Sequence, residues 1–222
     1  MPGILTPDEL TELRDLITAR GPGSILRRHF RRLLDRAMAE GISAVRHPLG
    51  FLCVPVLRSA DVGVCIHLWT DTVRCPPLTT SPVHAHSWNL TSFVLFGQVR
   101  NHLFRVEDAA DHPTHRVLAV YTDGLVDELQ PTRRLVTCEE ATRQVIESDR
   151  TYLLSAGRFH ATSVRGPAAT IVVADIQRST PEYALGHLGL GRHQVRRRRC
   201  AARELLLAAG AFDRLHDLDM SP

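Results

Sequence analysis

Lysine is absent from this 222-residue chain: every one of its 27 Lys+Arg positions is Arg. That excludes Schiff-base chemistry on a lysine and the phosphate-cradling lysine of a P-loop. The bland reason for the bias is GC-rich coding, as in actinobacteria. Long apolar runs are also missing, and none approaches the roughly 20 residues that cross a bilayer. The opening MPGILTPDELTEL has neither the basic region nor the apolar stretch of a signal peptide, so the expected location is the cytoplasm, away from membranes. The five cysteines (Cys53, Cys65, Cys75, Cys138, Cys200) form no C-x-x-C pair and are odd in number. This argues against a disulfide framework and a cysteine-based zinc site, and leaves them as buried or idle thiols.

What is present suits an ordinary globular protein, with 44% hydrophobic and 23% charged residues. The length points to a single domain over 1–222, divided into a helical N-terminal cover at 1–42, a β-barrel at 43–180, and a loop with a C-terminal helix at 181–222. A net charge of +3 is too small to argue for nucleic acid as a partner. The one compact basic run, Arg196 to Arg199, reads as the head of a final helix from about Val195 to Ala209, stopped by Gly210. It is either a solvated face or a contact for an anionic partner, and no aromatics interleave with it as in single-strand binders.

Helical spacing governs the first 40 or so residues. Thr6 and Glu9 make a capping box with Pro7 in the first turn, and Leu10, Leu13, Leu16 and Ile17 recur on one face. Gly21-Pro22-Gly23 breaks this helix, and a second is expected from about Ser24 to Glu40. From Gly50 the period changes. FLCVPVLR, VGVCIHLW, SFVLFGQVRNHLFRV, RVLAVYT, RLVTC, TYLLSAG and ATIVVADIQ are short, β-branched or aromatic, and bounded by turn residues. No helical patterns alternate with them, so the expected fold is mainly β, a sandwich or barrel with helices at both ends.

His84 and His86 lie two apart at the start of a strand, so both imidazoles project to one face and can share a metal ion. Context makes this pair informative. After three intervening residues His86 is followed by Leu90, and after six more by Gly97; later, Ser155-Ala156-Gly157-Arg158-Phe159-His160 places a histidine after a glycine turn. These two segments resemble the two motifs of the cupin superfamily, H-x-H followed by Glu and Gly, and P-x-G-x-x-H. Leu90 stands where the family has its glutamate, and Ser155 replaces the proline. The resemblance implies a cupin-type barrel, or jelly roll, and a metal held by His84, His86 and His160 without a carboxylate. This is the three-histidine pattern of cupins such as the thiol dioxygenases, and it makes a homodimer the family expectation.

Three neutral imidazoles leave a divalent ion at +2, which favours an anionic, chelating substrate. Fe(II) is the leading choice, with Zn, Ni, Mn or Cu compatible. Should residue 90 face inward, Ser92, Val94 and Phe96 should face the cavity with Leu90 as a substrate-binding wall. Trp88 is either a pocket lid or a barrel-mouth anchor. His67 and His102 are weaker candidates, for substrate binding and catalysis respectively, because a lone strand histidine is more often structural. Tyr152 and Tyr121 can each supply a phenol or simply pack; Tyr152 is the catalytic candidate. Arg58, Arg100, Arg105 and Arg158 are available to clamp a carboxylate.

The leading expectation is therefore a non-heme Fe(II) dioxygenase acting on a small molecule and O2, cleaving or rearranging a dihydroxylated aromatic or pyridine ring. A thiol dioxygenase is less favoured, because Ser179, Tyr183 and His187 do not fall in the order expected of that group's Ser-His-Tyr set. A non-oxidative isomerase or lyase and a ligand-binding cupin are the other classes. No helix-turn-helix segment is evident.

Overall fold

The computed structural model describes residues 4–19, 23–176 and 181–219. Two helices open the chain, α1 (Pro7–Thr18) and α2 (Gly23–Ala39), and α3 (Ala202–Asp219) closes it. Between them run β1 (Val45–Arg46), β2 (Leu52–Arg58), β3 (Val62–Trp69), β4 (His84–Ala85), β5 (Trp88–Phe96), β6 (Val99–Asp108) and β7 (His115–Asp123). These are followed by β8 (Val126–Ile146), β9 (Thr151–Leu154), β10 (His160–Val164), β11 (Ala168–Ile176), β12 (Glu182–Gly186), β13 (His193–Arg196) and β14 (Arg198–Arg199). The expected mainly β, jelly-roll architecture with helices at both ends is the one adopted. Among the described residues, no helix is long and apolar enough to cross a membrane.

All the strand pairings are antiparallel and make two seven-stranded sheets. The first has the order β14-β1-β2-β3-β11-β5-β9, the second β13-β8-β6-β10-β4-β12-β7. Because β8 is 21 residues long, its first half pairs with β7 and its second with β6, so the second sheet curls round on itself. The alternation of side chains then sorts the apolar residues into three clusters. Leu52, Val54, Val64, Ile66 and Leu68 of the first sheet pack outward against Leu13, Leu26, Leu34 and Phe212 of the helices. Ala85, Val136, Ala161 and Leu185 fill the curl of the second sheet. Between the sheets, Leu90, Val94, Tyr152 and Val172 meet Val99, Ile146 and Val164.

The capping box of α1 forms as its sequence predicts: the Glu9 N–H donates to the Thr6 hydroxyl at 3.2 Å, and the Thr6 N–H to the Glu9 carboxylate at 2.8 Å. α2 begins at Gly23, one residue before its expected start; the Gly21-Pro22 part of the expected break lies outside the described residues. Gly97 divides the long apolar piece into β5 and β6. Its φ of +75° is left-handed, and a Cβ there would stand 2.4 Å from the Pro167 carbonyl oxygen.

Two expectations fail at the C-terminal end. The stretch read as a loop contributes β12, β13 and β14, because β4 and β7 offer unpaired edges to Glu182–Gly186. The arginine run is not a helix head either. Arg196 pairs with Val126 in the second sheet, Arg198 and Arg199 pair with β1 in the first, and Arg197 between them donates to Asp127 at 2.6 Å. The final helix starts only at Ala202 and continues past Gly210, since a glycine inside a helix costs only about 1 kcal/mol and α3 still buries Leu205, Ala208 and Phe212.

Candidate metal centre

β4 and β10 are neighbours, and their single pairing sets His84 directly opposite His160. Ala85 and Ala161 turn into the curl of the second sheet, so alternation turns His84, His86 and His160 the other way, toward the space between the sheets. The ring centroids lie 4.3 Å apart for His84 and His160, 4.8 Å for His84 and His86, and 5.2 Å for His86 and His160. One nitrogen from each ring falls in a group whose members are all within 4.8 Å of one another. Around a single ion, donors at about 2.0–2.1 Å stand about 3–3.5 Å apart. Shifts on the order of 1 Å would bring these three onto one ion.

Two of the rings are held by backbone. The Nδ1 of His84 bonds the Pro82 carbonyl at 3.0 Å and that of His160 bonds the Arg158 carbonyl at 2.9 Å, which fixes the tautomer and leaves Nε2 with its lone pair. His86 stacks on Trp88, with centroids 4.4 Å apart; its Nδ1 is buried without a hydrogen-bond partner and lies 4.0 Å from a carboxylate oxygen of Glu182. Burial, then the neighbouring His86, lowers the His160 pKa to about 3. Burial, then His160 and His86, also holds that of His84 well below its ordinary value. Both rings are thus neutral near pH 7, the form a metal needs.

The remaining sequence candidates separate by the face they occupy. Leu90, Ser92 and Val94 do point between the sheets, where they pack with Tyr152 and Val172; Ser92 is wholly buried opposite Tyr152 on β9. Burial pushes the Tyr152 phenol up to about 12, so it stays protonated. Phe96 does not join that wall. A bulge opposite Ala169 and Thr170 admits Leu95 as an extra residue and turns Phe96 to the helices, 5.9 Å from Phe30 and 6.0 Å from Phe212. His102 faces away from the three histidines as well. Leu103 is the residue paired with His160, and His102, one place earlier, is bound on the opposite face by Glu140 at 3.2 Å and Ser163 at 3.0 Å.

His67 lies on the inner face of the first sheet in different company. It pairs with Cys53 on β2 and Thr170 on β11, contacts Phe51 at 4.3 Å, and stands with Cys53 and Cys65 in a second group of donors within 4.8 Å. Neighbouring Cys65, and then His67, lower the Cys53 pKa, whereas that of Cys65 rises. The spacing rule that selects His84 and His86 also applies to Cys65 and His67, two apart on one strand, and was the available signal for this group. His47, stacked on Phe51 at 4.5 Å, gave no such signal. Of Ser179, Tyr183 and His187, which depart from the Ser-His-Tyr order of the thiol dioxygenases, Ser179 lies outside the described residues.

No family model and no curated protein matches the chain. Solved structures that overlap it include a cupin superfamily protein from Desulfitobacterium hafniense, at 9% identity and TM-score 0.34, covering 57% of this chain and 78% of that one. Hydroquinone 1,2-dioxygenase from a Sphingomonas species overlaps at 15% identity and TM-score 0.34, covering 55% of this chain and 64% of its own. L-ribose isomerase from Cellulomonas parahominis overlaps at 10% identity and TM-score 0.36, covering 69% and 91%.

Proposed function

We propose that His84, His86 and His160 hold one divalent metal, Fe(II) by preference, and that the protein is a non-heme dioxygenase of a small, anionic, chelating substrate such as a dihydroxylated aromatic or pyridine. The observation that carries the reading is the convergence of three imidazoles, with no carboxylate among them and with those of His84 and His160 held neutral by burial. With Leu90 in the place of a glutamate, the bound charge stays at +2 and attracts a substrate that brings its own negative oxygens. When bound, Fe(II) supplies an open coordination sphere at which a chelating substrate and O2 can meet.

The chain's own residues supply orientation and exclusion of water. The Pro82 and Arg158 carbonyls hold the rings of His84 and His160 in one tautomer, and Trp88 covers a face of His86. Leu90 and Val94 pack with Tyr152 into an apolar wall between the sheets, and Tyr152 stays a phenol able to donate a hydrogen bond. The test is to load anaerobic protein with Fe(II), measure bound metal, and follow O2 uptake with catechols, hydroxypyridines and thiols. Uptake that requires Fe(II) and disappears in His84→Ala/His160→Ala is expected. Metal binding without O2 uptake for any of these substrates would overturn the dioxygenase reading and favour a Lewis-acid isomerase or lyase. Metal binding undiminished in the double variant would overturn the site itself.

A further inference from the structure

We infer that Cys53, Cys65 and His67 form a second metal site, distinct from the three histidines, that takes a thiophilic divalent ion of the Zn(II) kind. The three side chains come from two neighbouring strands: Cys53 is the register partner of His67, and Cys65 sits two residues before His67 on the same strand. Leu52, Val54, Val64, Ile66 and Leu68 take the helix-facing side, so alternation places all three donors on the opposite, inner face. Their donor atoms lie within 4.8 Å of one another. A tetrahedral ion at about 2.3 Å from sulfur and 2.0–2.1 Å from nitrogen separates its donors by about 3.5–4 Å, so small side-chain rotations close the site.

Thr170 is an independent pointer to a ligand here. It is the partner of His67 on the other side, is wholly buried, and its hydroxyl has no hydrogen-bond partner. A water or hydroxide in the fourth position of the ion would give that hydroxyl the partner it lacks. Two thiols and one imidazole form a soft donor set, and on binding the thiols release two protons to solvent, so two thiolates offset the charge of the ion. Cys65 and His67 are only half-buried, which leaves a route in. The group spans the pairing of β2 with β3 and lies beside β11, so an ion there would tie together the middle of the first sheet.

The site is tested with Co(II) and Zn(II) on reduced, metal-free protein, using His84→Ala/His160→Ala as a background in which the other centre is absent. A near-ultraviolet thiolate-to-Co(II) charge-transfer band is expected in the wild type and in that background. Zn(II) should abolish the band and raise the melting temperature in both. Cys65→Ser and His67→Asn, at half-buried positions, should each weaken Co(II) binding at least tenfold while keeping wild-type circular dichroism. Cys53→Ser/Cys65→Ser should lose the band. Absence of the band in folded wild type, or its persistence in folded Cys53→Ser/Cys65→Ser through Cys75 or Cys200, would overturn the assignment. A wild type that shows the band but takes up no O2 with any of the candidate substrates would count against the dioxygenase reading alone.

Discussion

His160 stands directly opposite His84 across one pair of antiparallel strands, with ring centroids 4.3 Å apart. Each ring is anchored through Nδ1 to a backbone carbonyl two residues earlier, Arg158 and Pro82. The two side chains therefore act as one pre-set pair rather than as flexible ligands. Replacing either by alanine should lower Fe(II) affinity by more than the roughly 10- to 100-fold that loss of an outer-shell partner costs. Competition with a chelator of known affinity measures this, and a smaller change would argue that the pair is not the ligand set.

Acid should destabilise the metal-free protein through the same histidines. His160 titrates in the unfolded chain near the ordinary 6.5 and in the folded protein at about 3, so between those values the unfolded state binds more protons. The sign follows: its contribution to stability is present above about pH 6.5 and is lost as pH falls toward 3, and His84 adds to it in the same direction. Urea midpoints measured across this range should fall with pH in the wild type and fall less steeply in His160→Asn. Identical slopes would show that the ring is not held neutral by its surroundings.

Gly97 should not tolerate a side chain. At φ +75° and with a Cβ only 2.4 Å from the Pro167 oxygen, Gly97→Ala must move backbone as well as adopt a left-handed conformation. The expected loss is about 1–3 kcal/mol or more in chemical denaturation. A loss under half of that would mean the β5–β6 corner relaxes freely.

Phe96 and His102 supply negative controls. Phe96→Ala removes packing against Phe30 and Phe212 and should cost about 3–5 kcal/mol, yet leave metal affinity unchanged. His102→Ala, on the face away from the histidines, should retain wild-type O2 uptake per bound Fe(II). A drop in metal-normalised turnover for His102→Ala would return that residue to the site.

Much of this was legible along the chain. The capping box at Thr6 and Glu9, the strand period from Gly50, and the same-face rule for His84 and His86 are local properties, and each survives in the structure. What failed involved pairing. Phe96 lost its predicted face to a bulge generated between β5 and β11, and Glu182–Gly186 became a strand because two edges were waiting for it. C-x-x-C spacing marks cysteines that meet within a turn; Cys53 and Cys65 lack it and meet instead across a hairpin.

The sequence by itself determined the periods, the caps and which side chains share a face, because these follow from φ, ψ and the alternation of neighbouring residues. Only the tertiary structure decided that His160 would face His84, that His102 would turn away, and that Cys53 would join Cys65 and His67. Each of these depends on which strand pairs with which and in what register, and a slip of one residue would reverse every face.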